Sequence, residues 1–122
     1  MKKSSPAELY KLLQDVTNHI IAWAKPGMKI CDLDAEARRM LGEYSEYFTH
    51  SLGHGVGIQI HESPRVSAKS SDILKPGMVI TIEPGVYGIS VQNTKDKIHS
   101  EKVFGLRYEE MVFVDKEKLI VL

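Results

Sequence analysis

Up to Tyr47 the apolar residues recur at helical spacing, and beyond it they fall into short β-prone runs cut by glycine and proline. A chain patterned in this way is directed to the α+β class, two helices packed on one side of an antiparallel sheet. Leu9, Leu12, Leu13, Val16, Ile20 and Ile21 make one apolar stripe. Ser5 is placed to cap the free amides, Pro6 to take the first helical position and Glu8 to complete a capping box, while Pro26-Gly27 stops the helix. A second helix is predicted from Asp32, with Leu33, Ala37, Met40 and Leu41 on one face, fading near Gly42 to Tyr44.

In the second part Met78 to Ile82 and Leu106 to Val114 read as strands, and the tail as a hairpin turning at Asp115-Lys116-Glu117-Lys118. The length of 122 residues suits a single domain over 1–122. Sixteen basic residues balance sixteen acidic ones, so no net field favours nucleic acid or an anionic membrane. Charges and Pro-Gly pairs interrupt every apolar run short of a membrane span. One cysteine, Cys31, makes no intramolecular disulfide, and the start has no signal-peptide core, so a cytoplasmic location is expected.

Candidate chemistry begins at His50-Ser51-Leu52-Gly53-His54-Gly55-Val56-Gly57. Histidines four apart could chelate a metal from a helix, but three glycines make a helix improbable there. Glycine on both sides of His54 instead suggests a strand whose backbone passes close to a neighbour, with the imidazole turned inward. A satisfied core histidine is the plainer alternative. His61 shares a face with neither position on a straight strand and converges with them only if the chain turns. His61-Glu62-Ser63-Pro64-Arg65 fails as a zinc-protease helix, since Arg65 stands where a histidine is needed and Pro64 opposes a helix. Glu83 ends a buried-looking strand before Pro84-Gly85, where it should meet a cation, collect hydrogen bonds or be protonated, with a structural pair to Arg107 the plainer alternative. Along Arg107 to Val114, a period of two puts Arg107, Glu109, Met111 and Phe113 on one face and Glu110, expected to be solvent-exposed, on the other.

These segments together resemble the pita-bread metallopeptidase family that includes methionine aminopeptidase, aminopeptidase P and prolidase. The resemblance rests on the His50 to Gly57 run, His61-Glu62-Ser63-Pro64-Arg65, Lys75-Pro76-Gly77-Met78 with Thr81-Ile82-Glu83-Pro84-Gly85, and Arg107-Tyr108-Glu109. Pro64-Arg65 and the His50 element look more like the Xaa-Pro branch, and the likeness covers nearly the whole chain as the C-terminal half of the catalytic domain.

The resemblance implies that His54, Glu83 and Glu109 are metal ligands, with Glu83 also handling a proton of the attacking water. It makes His61 and His50 contacts to the substrate or its tetrahedral intermediate, and Arg107 a support of the ligand shell. The ion would be divalent Mn, Co, Zn or Fe, and the reaction removal of an N-terminal residue from a peptide with proline second. In the family two aspartate ligands come from strands preceding the first helix here. The chain alone is therefore expected to be incomplete or inactive, and an isolated chain holding no ion is the other outcome. A homodimer, or association with the missing N-terminal half, would cover the exposed sheet. The segment Gly88 to Lys102 is longer than the family's connection and is expected to loop out. Two other functions stay open: a non-catalytic protein-interaction module on the same fold, and a metal-free hydrolase resembling creatinase.

Overall fold

The computed structural model describes residues 5–57, 62–91 and 102–122. Helix α1 spans Pro6–Trp23 and α2 spans Ile30–Leu41, with a 3-10 helix at Gly42–Tyr47. The Ser5 hydroxyl caps α1 by accepting from the Glu8 amide at 3.1 Å, and Pro6 follows it. Leu9, Leu13, Val16 and Ile20 form the buried stripe, with Leu12 and Ile21 at its margins. Thr17 also lies on that face, and its hydroxyl donates to the Leu13 carbonyl at 2.9 Å, so no polar group is stranded there.

Helix α2 begins at Ile30, two residues before Asp32, where the expected helix starts. Its start is held from outside the helix. Ile30 N–H donates to the Asp72 carbonyl at 3.0 Å and Lys29 bridges to Ile73, while no side chain caps the first turn.

The tetrapeptide Lys-Pro-Gly-Met occurs at 25–28 and 75–78 and makes the same turn twice. Gly27 and Gly77 have φ of 95° and 94°, and each methionine amide bonds back to the lysine carbonyl, at 3.2 and 3.3 Å. Proline then glycine at the central positions is what a type II turn requires. The first turn follows α1 and the second leads into a strand.

Strands β1 (Gly53–Gly55), β2 (Glu62–Val66), β3 (Val79–Ile82), β6 (Glu110–Val114) and β7 (Leu119–Val121) form an antiparallel sheet in the order β2-β1-β3-β6-β7. Strands β4 (Gly85–Val91) and β5 (Lys102–Arg107) form a separate ribbon. Helix α1 packs on α2, β5 and β7, α2 also on β2, and the 3-10 helix on β4. One core joins Leu13, Val16, Ile20, Leu33 and Ala37 from the helices to Ile80, Ile82, Val86, Val112 and Val114 from the strands. Each large side chain fully buried there contributes about 1.5–3 kcal/mol. The tail is the expected hairpin, with Val114 opposite Leu119 and Asp115 N–H bonded to the Lys118 carbonyl at 2.8 Å.

Two expectations are corrected. The run Leu106 to Val114 is not one strand, because Tyr108-Glu109 separates β5 from β6 just as Glu83-Pro84 separates β3 from β4. Pro84 has no N–H for the ladder, and its carbonyl is instead taken by the Tyr108 amide at 3.1 Å. The ribbon thus breaks on both strands at the same level. The expected loop from Gly88 to Lys102 also gives way at both ends. Gly88–Val91 continues β4 and Lys102 opens β5, with Val91 opposite Lys102. Gly88, at φ 71°, sits within the register shift between Val86 and Ile89, which returns Ile89 to the core. The remainder, 92–101, lies outside the described residues. Among the described residues no helix is long and apolar enough to cross a membrane.

Candidate metal centre

Strands β1 and β3 meet more closely than side chains would allow. A Cβ at Gly53 would sit 1.7 Å from the Thr81 carbonyl oxygen, which bears out the expectation of a close backbone approach beside His54. The contact is stitched on both sides: Glu83 N–H donates to the Leu52 carbonyl at 2.7 Å, and His54 N–H to the Thr81 hydroxyl at 3.1 Å. His54 and Glu83 are thereby brought together from positions 29 residues apart in sequence.

A carbonyl only accepts, so the His54 Nδ1 at 2.8 Å from the Gly55 oxygen carries the proton. That bond orients the ring and leaves Nε2 as the electron-pair donor of the neutral imidazole, 3.4 Å from Glu83 Oε2. Glu83 is mostly buried, its side chain 12% exposed, and Oε1 lies 3.8 Å from Arg107 Nη1. Oε2 is fully buried and accepts no hydrogen bond from any described residue. The His54 contact, at 3.4 Å, is not a formed hydrogen bond. An imidazole nitrogen beside a buried carboxylate oxygen that accepts no hydrogen bond from a described residue forms an arrangement that a cation satisfies. The donor set, imidazole nitrogen with carboxylate oxygen, suits a divalent transition metal, so the residues present fit such an ion.

Glu109 stands at the facing position. Ile82 opposite Glu110 and Gly85 opposite Arg107 keep one register across the break, which sets Glu83 across from Glu109. The Glu109 side chain is exposed. Among the described residues no group of three or more histidine, cysteine, aspartate or glutamate side chains is gathered closely enough to hold a metal. The structure therefore assembles His54 with Glu83 and presents Glu109 opposite them without closing the set. His61 lies outside the described residues. Glu110, expected in solvent, is half-buried, and the Tyr108 hydroxyl donates to it at 2.9 Å. That bond raises the Tyr108 phenol above its ordinary value.

His50 is fixed through both ring nitrogens. Nδ1–H donates to the Ser51 carbonyl at 2.7 Å, and Nε2 lies 2.7 Å from the Tyr87 hydroxyl. Burial pushes the Tyr87 phenol up, and nearby Glu83 adds to this while Arg107 opposes it. Tyr87 thus keeps its proton at neutral pH, and where Nδ1 carries the single ring proton the hydroxyl donates to His50 Nε2. The sequence reading missed Tyr87, although a signal was present. Its ring lies over Gly85 on its own strand and against Gly105 on the partner strand, where added Cβ atoms would come within 2.5 and 2.7 Å of it. Two glycines flanking a tyrosine position mark a bed for an aromatic ring.

Comparison with known proteins gives a consistent result. The model of metallopeptidase family M24 matches residues 2–116. A Xaa-Pro dipeptidase of Pyrococcus horikoshii is 40% identical over 111 residues, 89% of this chain and 28% of that protein. A Xaa-Pro dipeptidase of Pyrococcus furiosus is 46% identical over 94 residues, 71% of this chain and 27% of that protein. The chain spans less than a third of the length of these relatives. Among solved structures, prolidase from Pyrococcus furiosus superposes with a TM-score of 0.80 at 36% identity, covering 99% of this chain and 33% of that one. The N-terminal domain of FACT complex subunit SPT16 from chickpea superposes with a TM-score of 0.82 at 28% identity, covering 97% of this chain and 29% of that one.

Proposed function

The chain belongs to metallopeptidase family M24, and from that premise we propose that it supplies the C-terminal half of a catalytic centre resembling that of Xaa-Pro dipeptidase. His54, Glu83 and Glu109 hold divalent Mn, Co, Zn or Fe, and the substrate is a short peptide with proline at its second position. The remaining ligands come from an N-terminal half that joins this one, while a second copy in a homodimer would instead cover the exposed sheet. The buried Glu83 Oε2, which accepts no hydrogen bond from a described residue and lies 3.4 Å from His54 Nε2, is the observation that carries this reading.

A bound divalent ion supplies Lewis-acid polarisation of the peptide carbonyl and lowers the pKa of the attacking water. The chain's own residues do the rest. Gly55 holds the His54 ring so that Nε2 stands beside Glu83, where the two would help to hold the ion. Arg107 draws on Glu83 Oε1, which leaves Oε2 directed at His54, and the same carboxylate takes a proton from the water during attack. His50 and His61 contact the substrate carbonyl or the intermediate, with Tyr87 holding the His50 ring in place.

Equilibrium dialysis of the purified chain against Mn and Zn tests this, with His54→Ala as control. Saturable binding that His54→Ala removes is the expected result. Hydrolysis of a Xaa-Pro dipeptide that persists in excess chelator would instead support the metal-free hydrolase. The likeness to the SPT16 domain favours a second reading, a non-catalytic protein-interaction module on the same fold. That reading predicts a folded chain in which no metal binding depends on His54.

A further inference from the structure

Helix α2 carries an ion pair, its carboxylate buried and its arginine side chain 34% exposed, that reaches out of the helix. Asp34 is fully buried and lies on the same face as Ile30, Leu33, Ala37 and Leu41. Its Oδ1 accepts from Arg38 Nε at 2.6 Å and its Oδ2 from the Leu52 amide at 3.2 Å. Arg38 then distributes its other nitrogens along the chain: Nη1 donates to the Phe48 carbonyl and Nη2 to the His50 carbonyl, both at 2.8 Å. Its guanidinium carbon lies 4.2 Å from the Phe48 ring centroid, and the Phe48 ring meets the His50 ring edge-on at 4.9 Å. The pair therefore holds residues 48, 50 and 52, alternate positions of the segment entering β1. Residues 48–52 belong to no strand. Side-chain hydrogen bonds take the place of a ladder there.

We infer that Asp34 and Arg38 are positioning residues for His50: the guanidinium, anchored on a buried carboxylate, fixes the backbone and the aromatic wall that set the orientation of the His50 imidazole toward Tyr87. Their hydrogen bonds go to each other and to Phe48, His50 and Leu52, through which both act. The inference deepens the peptidase reading, since it gains functional meaning only if His50 meets substrate. Charge alone is insufficient in this role. The fork geometry of arginine serves two carbonyls and one carboxylate at once, which a lysine ammonium does not reproduce.

The test is imidazole-region NMR on the 15N-labelled chain, comparing wild type with Arg38→Lys and Asp34→Asn, alongside thermal melts and Mn dialysis. Wild type is expected to show one His50 tautomer, with the proton on Nδ1 and slow solvent exchange. In Arg38→Lys that exchange should accelerate by about tenfold or more, the factor expected on losing a charge-assisted hydrogen bond, while the chain stays folded and His54-dependent Mn binding persists. Asp34→Asn retains an acceptor for Leu52 N–H but loses the anchor for Arg38, and should give the same His50 signature. A folded variant with unchanged His50 signals overturns the inference. So does unfolding of both variants, which would assign the pair to holding the fold. A shifted His50 in a chain that never binds Mn would keep the positioning role and remove the peptidase reading, whereas Mn binding with an unmoved His50 would do the reverse.

Discussion

Replacing Glu83 with glutamine should make the metal-free chain more stable while destroying its response to metal. The two carboxylate oxygens set the sign. Oε1 lies 3.8 Å from Arg107, and that arginine side chain is 53% exposed, so losing the pair costs less than about 1 kcal/mol. Oε2 is buried without a hydrogen bond from a described residue, a state that costs about 1–3 kcal/mol, more for a charge. A neutral amide of the same shape relieves most of that penalty, for a net gain of about 1 kcal/mol. In a domain of this size this raises the melting temperature by about 3–5 °C. With an ion at a hundred times its dissociation constant, wild type gains about 2.7 kcal/mol and the variant nothing. The order of stability should therefore reverse on adding metal. Calorimetric melts at pH 7, in chelator and then in Mn, read both halves. Destabilisation of Glu83→Gln in chelator by more than about 1 kcal/mol would show that the carboxylate is satisfied without a cation.

Gly53→Ala places a methyl group 1.7 Å from a carbonyl oxygen that cannot swing away. Forcing β1 from β3 adds overpacking strain of about 1–3 kcal/mol and weakens two hydrogen bonds worth about 1 kcal/mol each; urea denaturation showing a loss under 1 kcal/mol would refute the close approach. Glu36 offers a pH test. The Arg39 guanidinium first, and His19 second, hold its carboxyl at about 2, below its ordinary 4.5. A depressed folded-state pKa stabilises above the unfolded value, and that stabilisation is lost as pH falls from 4.5 toward 2. Arg39 is 67% exposed, so the effect stays under about 1 kcal/mol. The stability gap between wild type and Glu36→Gln should shrink over that range in urea melts, and a gap independent of pH would count against the pairing.

Helix α1 was legible because its signals are local: Ser5, Pro6 and the stripe from Leu9 to Ile21 all lie within the segment they specify. The start of α2 was not, since the group that receives the Ile30 amide belongs to Asp72, more than forty residues downstream. The break between β5 and β6 has the same character. Nothing in Leu106 to Val114 announces it, because the residue facing it is Pro84, at the matching break between β3 and β4. In the candidate site, the close backbone approach beside His54 and the burial of Glu83 were readable from their setting, one between glycines and one at the end of an apolar strand. The sequence reading gave Asp34 no site role. Yet its spacing from Ile30, Leu33, Ala37 and Leu41 places it within the apolar arc of the helix, and a carboxylate in that arc with arginine four residues on is a recognisable pattern.

Glu109 separates burial from ligation. Glu83 and Glu109 occupy facing positions at the broken ladder, and like charges directly opposite each other destabilise a sheet by a few tenths to about 1 kcal/mol. One is buried and the other exposed, so only Glu83 should carry a desolvation penalty when no ion is present. Glu109→Gln should accordingly leave the chelated chain within about 0.5 kcal/mol of wild type. If Glu109 turns inward to an ion, the same substitution should weaken Mn affinity by tenfold or more, about 1.4 kcal/mol. Dialysis and melts on Glu83→Gln and Glu109→Gln together then give a diagnostic pair: both lose metal, but only the buried position gains stability without it. Equal behaviour in chelator would mean that burial of Glu83 Oε2 has no energetic weight, whereas unchanged affinity in Glu109→Gln would leave His54 and Glu83 holding the ion without it.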